Sequence, residues 1–226
     1  MGKTGYMATD QSLKFDDRSH AGAALGMRLA LELPAGSYTV LGLLRGGVPI
    51  AYEVAKILKA RLGALAVRKL GVPSNPELAF GAIAHYASGN GRYINEEIYR
   101  RALRYFGADE LDSLEYGTHS ELMLLADIFR AYSPGLTGQT VILCDDGIAT
   151  GATMKASVEL VRRLEAKSIV IAIPVAARES VEELESLTEH VYAVWTPENF
   201  GAVGAYYRDF TQINQARALQ LLRLQD

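Results

Sequence analysis

Val141-Ile-Leu-Cys-Asp-Asp-Gly-Ile-Ala-Thr-Gly-Ala-Thr-Met154 is the stretch on which the reading of this chain turns. Its apolar run, Val141 to Cys144, is too short for a helix, and a run without polar alternation suits a parallel strand buried on both faces. Two carboxylates, Asp145 and Asp146, end the run. Gly147, Gly151 and the hydroxyls of Thr150 and Thr153 follow, and from Met154 to Leu164 the residues Val158, Leu160, Val161 and Leu164 recur at helical spacing. Strand, acidic pair, glycine-threonine loop and helix succeed one another, as in an α/β protein.

In an open α/β sheet such a loop lies at the carboxyl edge of the strands, where ligands bind, and the first amides of its helix point outward as an anion site. A phosphate is the natural guest. Two aspartates would repel that phosphate, so they face another part of the ligand. Vicinal hydroxyls fit, because ionised carboxylates only accept hydrogen bonds and a diol offers two donors. The loop asks for a sugar carrying both a phosphate and a free diol, a ribose 5-phosphate. Rival phosphate loops fit worse: a Walker loop needs Gly-Lys-Ser/Thr, whereas Gly151 is followed by Ala152 and Thr153, and GxGxxG is absent from the stretch.

These residues resemble the phosphoribosyl pyrophosphate (PRPP) motif of the type I phosphoribosyltransferases: an apolar strand, two acids, two variable residues, then Ala/Asp-Thr-Gly-x-Thr. The resemblance implies that Asp145 and Asp146 hold the ribose hydroxyls. It also implies that Gly147, Ala149, Thr150, Gly151, Ala152 and Thr153 form the 5-phosphate loop. From Phe15 onward the chain is similar to a bacterial phosphoribosyltransferase family that shares Phe-x-Asp-Arg, Leu-x-Arg-Gly-Gly-Val, Val-Arg-Lys-Leu-Gly-Val-Pro and Asp-Asp-Gly-Ile-Ala-Thr-Gly-Ala-Thr. The fold expected is α/β: a doubly wound, mainly parallel sheet with a helical insertion and a small hood. Residues 1–226 are read as a single domain, with the insertion at about 95–132 and the hood built from the N-terminal segment and about 196–226.

Size and charge are compatible with this. A chain of 226 residues is long enough to bury a proper interior. With 23 basic and 26 acidic residues the formal charge is -3, which argues against nucleic-acid binding driven by bulk charge. A lone cysteine, Cys144, excludes an internal disulfide and suits a reducing cytosol. No apolar run approaches the ~20 residues of a membrane span, and Met1 to Asp10 lacks the apolar core of a signal peptide. A soluble cytoplasmic protein is expected.

Toward the amino end, residues 1–12 read as a frayed tail, and Asp17 or Ser19 caps a helix that uses Leu25, Leu29 and Ala30. Arg18 and His20 read as capping or surface residues. Tyr38 to Leu44 is a second buried strand, ending at Arg45-Gly46-Gly47, and a helix from Ile50 to Leu62 follows, with Pro49 at its first position. Free amides at Gly46 and Gly47 with the forked guanidinium of Arg45 make an anion trap. The resemblance assigns this loop to the pyrophosphate of PRPP. Ala64 to Val67 is a short strand, and Arg68-Lys69 reads as a pair of cations at its end, before Gly71 and Pro73. Beside a pyrophosphate such cations neutralise the leaving group, so Lys69, Arg68 and Arg45 are the catalytic candidates, Lys69 foremost.

The segment 95–132 is helical, more helix than a minimal core needs, and is expected to pack on one sheet face or against a partner subunit. After the organising loop, strand, helix and strand alternate through Trp195, and then Thr196 to Phe210 breaks the pattern with aromatics and glycines. Phe200, Val203 and Tyr206 are its base-binding candidates, and a hydrophobic lid is the competing reading.

The chemistry implied is displacement at the anomeric carbon of PRPP by a nitrogenous base or other amine, releasing pyrophosphate, as in nucleotide salvage. Mg²⁺ is implied with it, touched through water by Asp145 and Asp146. A homodimer is implied as well, without membrane or nucleic-acid partners. Ala149 stands where hypoxanthine-type enzymes carry an aspartate, which favours adenine- or uracil-like acceptors over 6-oxopurines, and Arg68-Lys69 resembles part of the orotate enzymes. Two rivals remain: a PRPP-binding regulator using Arg100, Arg101 and Arg104, and a ribose-phosphate hydrolase or phosphorylase.

Overall fold

A computed structural model describes residues 14–87, 89–188 and 190–225; the tail expected at residues 1–12 lies outside them. In chain order the elements are α1 (Arg18–Glu32), β1 (Tyr38–Leu43), α2 (Gly47–Leu58), β2 (Arg61–Val72), β3 (Asn75–Tyr86), β4 (Gly89–Ile94), α3 (Glu96–Phe106), α4 (Ala108–Phe129), β5 (Thr140–Cys144), α5 (Ala152–Arg163), β6 (Ser168–Val175), α6 (Arg178–Glu185), β7 (His190–Trp195) and α7 (Gln215–Arg223). The strands form one sheet ordered β4-β3-β2-β1-β5-β6-β7, parallel from β2 to β7, with β3 and β4 antiparallel at one end.

Strand alternation sorts the core onto two faces. From β5, Val141 and Leu143 meet α5 and α6 through Met154, Val158, Val181 and Leu184, while Ile142 and Cys144 meet α1 and α2 through Leu25, Leu29, Ile50 and Val54. Helices thus cover both sides, as doubly wound sheets require. Each such side chain removed from water contributes about 1.5–3 kcal/mol. The helices α1 and α2 approach closely because Gly22 faces Ile50, where an added β-carbon would lie 2.9 Å from the Ile50 backbone.

The insertion comprises α3 and α4. Asn95 caps α3 by accepting from the Ile98 amide at 3.1 Å, and Leu111, Leu122, Leu125 and Phe129 seat α4 against Ala64, Ala66, Leu70, Phe80 and Ile83 of β2 and β3. Helix α4 thus packs on one sheet face. Helix α7 joins the same layer through Ala218, Leu221 and Leu222. The hood proper is the segment after β7: Phe15 bridges Tyr207, and the Arg208 amide donates to the Phe15 carbonyl at 2.8 Å.

Two boundaries differ from the sequence reading. Helix α2 starts two residues before Pro49 and stops at Leu58, because Lys59 turns left-handed (φ 52) and Leu62, although spaced for the helix, is the β2 partner of Val40. Strand β2 is 12 residues long, so Arg68 and Lys69 lie within it instead of at the end of a short strand. Beyond Leu65 it leaves β1 and pairs with β3 alone, making a two-stranded arm past the parallel sheet. Among the described residues no helix is long and apolar enough to cross a membrane.

Candidate functional site

Strand β1 lies between β2 and β5, so the chain leaves it in one direction first and returns on its other side later. This is a topological switch point, and the loops after β1 and β5 open a crevice there. The register pairs Gly42 with Cys144, so the two loops emerge side by side. They touch: a β-carbon on Gly46 would lie 2.2 Å from Asp146 Oδ2, and one on Gly47 would lie 2.4 Å from the Cys144 carbonyl. Only glycine permits this approach. Gly47 opens α2 and the Leu44-Arg45 peptide is cis. The arginine-glycine corner and the acidic pair are two walls of one crevice.

The acidic pair is half-buried, and its surroundings treat the two carboxylates differently. Burial holds Asp145 well above the usual carboxylate range, the neighbouring Asp146 charge adds to that, and Lys69 and Arg18 pull it back. Its hydrogen-bond donor is the Asp146 amide, at 2.9 Å to Oδ1. Burial raises Asp146 as well, but Arg18 opposes it by charge and hydrogen bonding. Arg18 Nε and Nη2 both reach Asp146 Oδ2 at 2.8 Å. Tyr207 Oη donates to the Asp146 carbonyl at 2.5 Å.

Arg18 is therefore a candidate site residue, where the sequence reading had it as a capping or surface residue. It is only 7% exposed, its Nη1 donates to the Thr211 carbonyl at 2.9 Å, and its guanidinium carbon stands 3.9 Å from the centre of the Phe210 ring. Asp17, which caps α1 by accepting from the His20 amide at 2.8 Å, explains only the helix start. A signal was available: a cation in the first turn opposes the helix dipole, and no acid accompanies it there. His85 is buried against Asn90, 2.7 Å from Nδ1.

The loop from Gly147 to Thr153 closes the crevice's far side. Gly151 takes φ +70 at the start of α5, and the first turn has neither an acidic residue nor a side-chain cap. Its amides are accordingly open to an anion. Ala149 and Thr150 are exposed, Thr153 is half-buried and Ala152 buried. The loop is pinned from behind: Ser180 Oγ donates to the Ala149 carbonyl at 2.5 Å, and the Ile148 amide donates to the Val175 carbonyl at 3.0 Å.

The two cations of β2 part company. Lys69 follows Leu65 and Val67 on the α5 side and acts electrostatically on both aspartates. Arg68 shares a strand face with Ala66 and Leu70, which face α4, so it points to the opposite side of the arm from Lys69. Arg45 is half-buried at the crevice wall. In the hood, Val203 lies over the loop, 2.5 Å from where a β-carbon on Gly147 would sit. Phe200 is half-buried and stacks on Tyr206 with ring centres 5.4 Å apart. Tyr206 itself is a core residue, 9% exposed, stacked on Phe200 and perpendicular to Trp195 at 4.9 Å, so its ring is engaged by the chain's own aromatics. Among the described residues no group of three or more His, Cys, Asp or Glu converges on a metal-sized site.

The profile of the phosphoribosyl transferase domain matches residues 20–209. A Mycobacterium tuberculosis (strain H37Rv) protein named "Putative phosphoribosyl transferase Rv0571c" is 42% identical over 210 residues, 92% of this chain and 46% of the relative, so the chain spans about half of that relative's length. An adenine phosphoribosyltransferase of Helicobacter hepaticus is 32% identical over 127 residues, 56% of this chain and 67% of that protein. The crystal structure of TT1426 from Thermus thermophilus superposes with a TM-score of 0.74 at 38% identity, over 93% of this chain and 98% of that one. With a switch-point crevice of this shape and a matching profile across most of its length, the chain belongs to the phosphoribosyl transferase domain family.

Proposed function

We propose that this chain transfers the 5-phosphoribosyl group of PRPP to a nitrogenous base or other amine, releasing pyrophosphate. The observation that carries the reading is the close approach of Gly46 to Asp146, which sets the arginine-glycine corner beside the acidic pair. A sugar phosphorylated at one end and pyrophosphorylated at the other would rest its 5-phosphate on the amides opening α5 and its diol on Asp145 and Asp146. Its pyrophosphate would then lie at Arg45, Gly46 and Gly47. In the step itself the bond from the anomeric carbon to the pyrophosphate oxygen breaks, and a bond to the acceptor nitrogen forms. Charge builds on the departing oxygen, where Lys69, overhanging from the β2–β3 arm, and Arg45 would neutralise it. The acceptor would lie under the hood against Phe200 and Val203, with Tyr206 as their backing.

The donor set fits a hydrated Mg²⁺ that arrives with the diphosphate. Two adjacent carboxylates without a third ligand suit a cation that keeps most of its waters, and Asp145 and Asp146 would hold it through those waters. When bound, it neutralises diphosphate charge. A solution homodimer in the cytosol completes the proposal. Against the regulator reading stands the state of the α3 arginines: Arg101 pairs with Glu97 at 2.6 Å and Arg100 with Glu96 at 3.8 Å, as expected of a solvated helix face.

The test is pyrophosphate release from PRPP and Mg²⁺ with a panel of bases, adenine first because of Ala149 and of the adenine-enzyme relative. Release tied to one acceptor supports transfer. Base-independent release would point to hydrolysis, and tight PRPP binding without release to a regulator.

A further inference from the structure

The residue that binds the hood to the acidic pair is Arg18, and its donors are shared between them in a way that only an arginine can manage. The segment from Tyr207 to Thr211 grips Asp146 twice. Tyr207 Oη holds its main-chain carbonyl at 2.5 Å, and Arg18, itself fastened to the Thr211 carbonyl at 2.9 Å and covered by Phe210, holds its carboxylate. Both Arg18 bonds go to Oδ2, so Oδ1 keeps its acceptor capacity for a ligand hydroxyl. Such a planar fork reaches two segments and stacks on a ring at once, whereas a lysine ammonium is a point charge. The bond spans 128 residues of sequence. All of these contacts lead away from α1, so the side chain serves the hood and the acidic pair and not the helix that carries it.

Resting on the transferase reading, we propose that Arg18 is a positioning residue that couples the order of the hood segment 207–211 to the setting of Asp146, so that gripping the ribose and shaping the acceptor pocket are one event. Arg18 would not touch the reacting atoms. Its effect passes through Asp146 toward the sugar and through Phe210 and Thr211 toward the acceptor side.

Hydrogen–deuterium exchange of peptides covering 200–211 in the ligand-free protein tests the coupling without any activity. Arg18→Met, Arg18→Lys and Asp146→Asn should each speed exchange there, and the double variant Arg18→Met/Asp146→Asn should exchange no faster than the faster single variant. For turnover, Arg18→Lys should raise KM for PRPP and lower kcat, on the order of tenfold each, in keeping with the loss of a two-nitrogen hold on one oxygen of a half-buried acid. Wild-type exchange in Asp146→Asn would overturn the coupling, as would wild-type behaviour of Arg18→Lys in both readouts. Should Arg18→Met fail to fold by circular dichroism, the lysine and asparagine variants carry the same comparison. A wild-type protein that neither binds nor turns over PRPP yet shows the exchange pattern would sink the transferase reading and leave the coupling standing.

Discussion

Gly46 has no room for a side chain. A methyl group there meets the Asp146 carboxylate, which Arg18 holds in place, so Gly46→Ala should reduce PRPP affinity by about tenfold or more and destabilise the fold by about 1–3 kcal/mol, as calorimetry and a melting curve would show. Asp145 carries an opposite trade. Burial makes its native carboxyl bind a proton more tightly than the unfolded one, so its stabilising effect is full below the ordinary value of about 3.9 and is lost as pH rises through the raised native value. Asp145→Asn should therefore melt higher than the parent at pH 8, with the advantage shrinking toward pH 4, and should lose PRPP binding. Equal melting points at both pH values would show that burial of this carboxylate carries no stability cost. At this scale the acidic pair and the two small-residue loops were legible as strand-end features, since each is a run of neighbours in sequence. Arg18 showed in sequence only as a cation in a helix's first turn with no acid in that turn; its partner lies 128 positions away, and a sequence read element by element has no means to join them.

Among the elements, the β2–β3 arm changes the reading most. Arg68 and Lys69 are adjacent in sequence, and as a turn they would have acted together; as strand neighbours they face opposite ways. Lys69→Ala should then lower kcat by about 10²-fold, the loss typical of one charge-stabilising donor, whereas Arg68→Ala should stay within about threefold of the parent. Comparable losses in both would return the pair to a shared loop. Lys69 is exposed, so its removal should leave stability within about 0.5 kcal/mol. The arm escaped notice because Arg-Lys followed by glycine and proline has the composition of a turn, and its strand state comes from pairing with β3, with register shifts between Leu70 and Val72. Helix-terminating Lys59 was hidden for a related reason: a lysine in the left-handed region leaves no mark in apolar spacing.

For the whole molecule, three clusters of buried side chains share one sheet, and α4 belongs to the third of them. Phe129, 1% exposed, anchors that helix on the sheet. Phe129→Ala should cost about 3–5 kcal/mol and should shift a single urea transition seen alike by fluorescence and circular dichroism. Two separated transitions would mean that α3 and α4 unfold independently of the sheet. The doubly wound architecture followed from the repeated strand-and-helix pattern and from buried runs such as Val141–Cys144, which suit a strand covered on both sides. The choice of sheet face for α4 depends on packing between segments distant in sequence, to which local periodicity is blind.

Cys144, the chain's one thiol, is wholly buried at the end of β5, one residue before the acidic pair, and burial pushes its thiol pKa up. It is consequently a built-in clock for opening of the molecule's centre. An alkylating reagent would react only when β5 leaves its neighbours, so the labelling rate reads the population of that opened form directly. If the crevice accepts PRPP, saturating ligand should slow labelling by about the factor 1 + [L]/Kd, and labelling that ignores the ligand would place its binding site away from this strand.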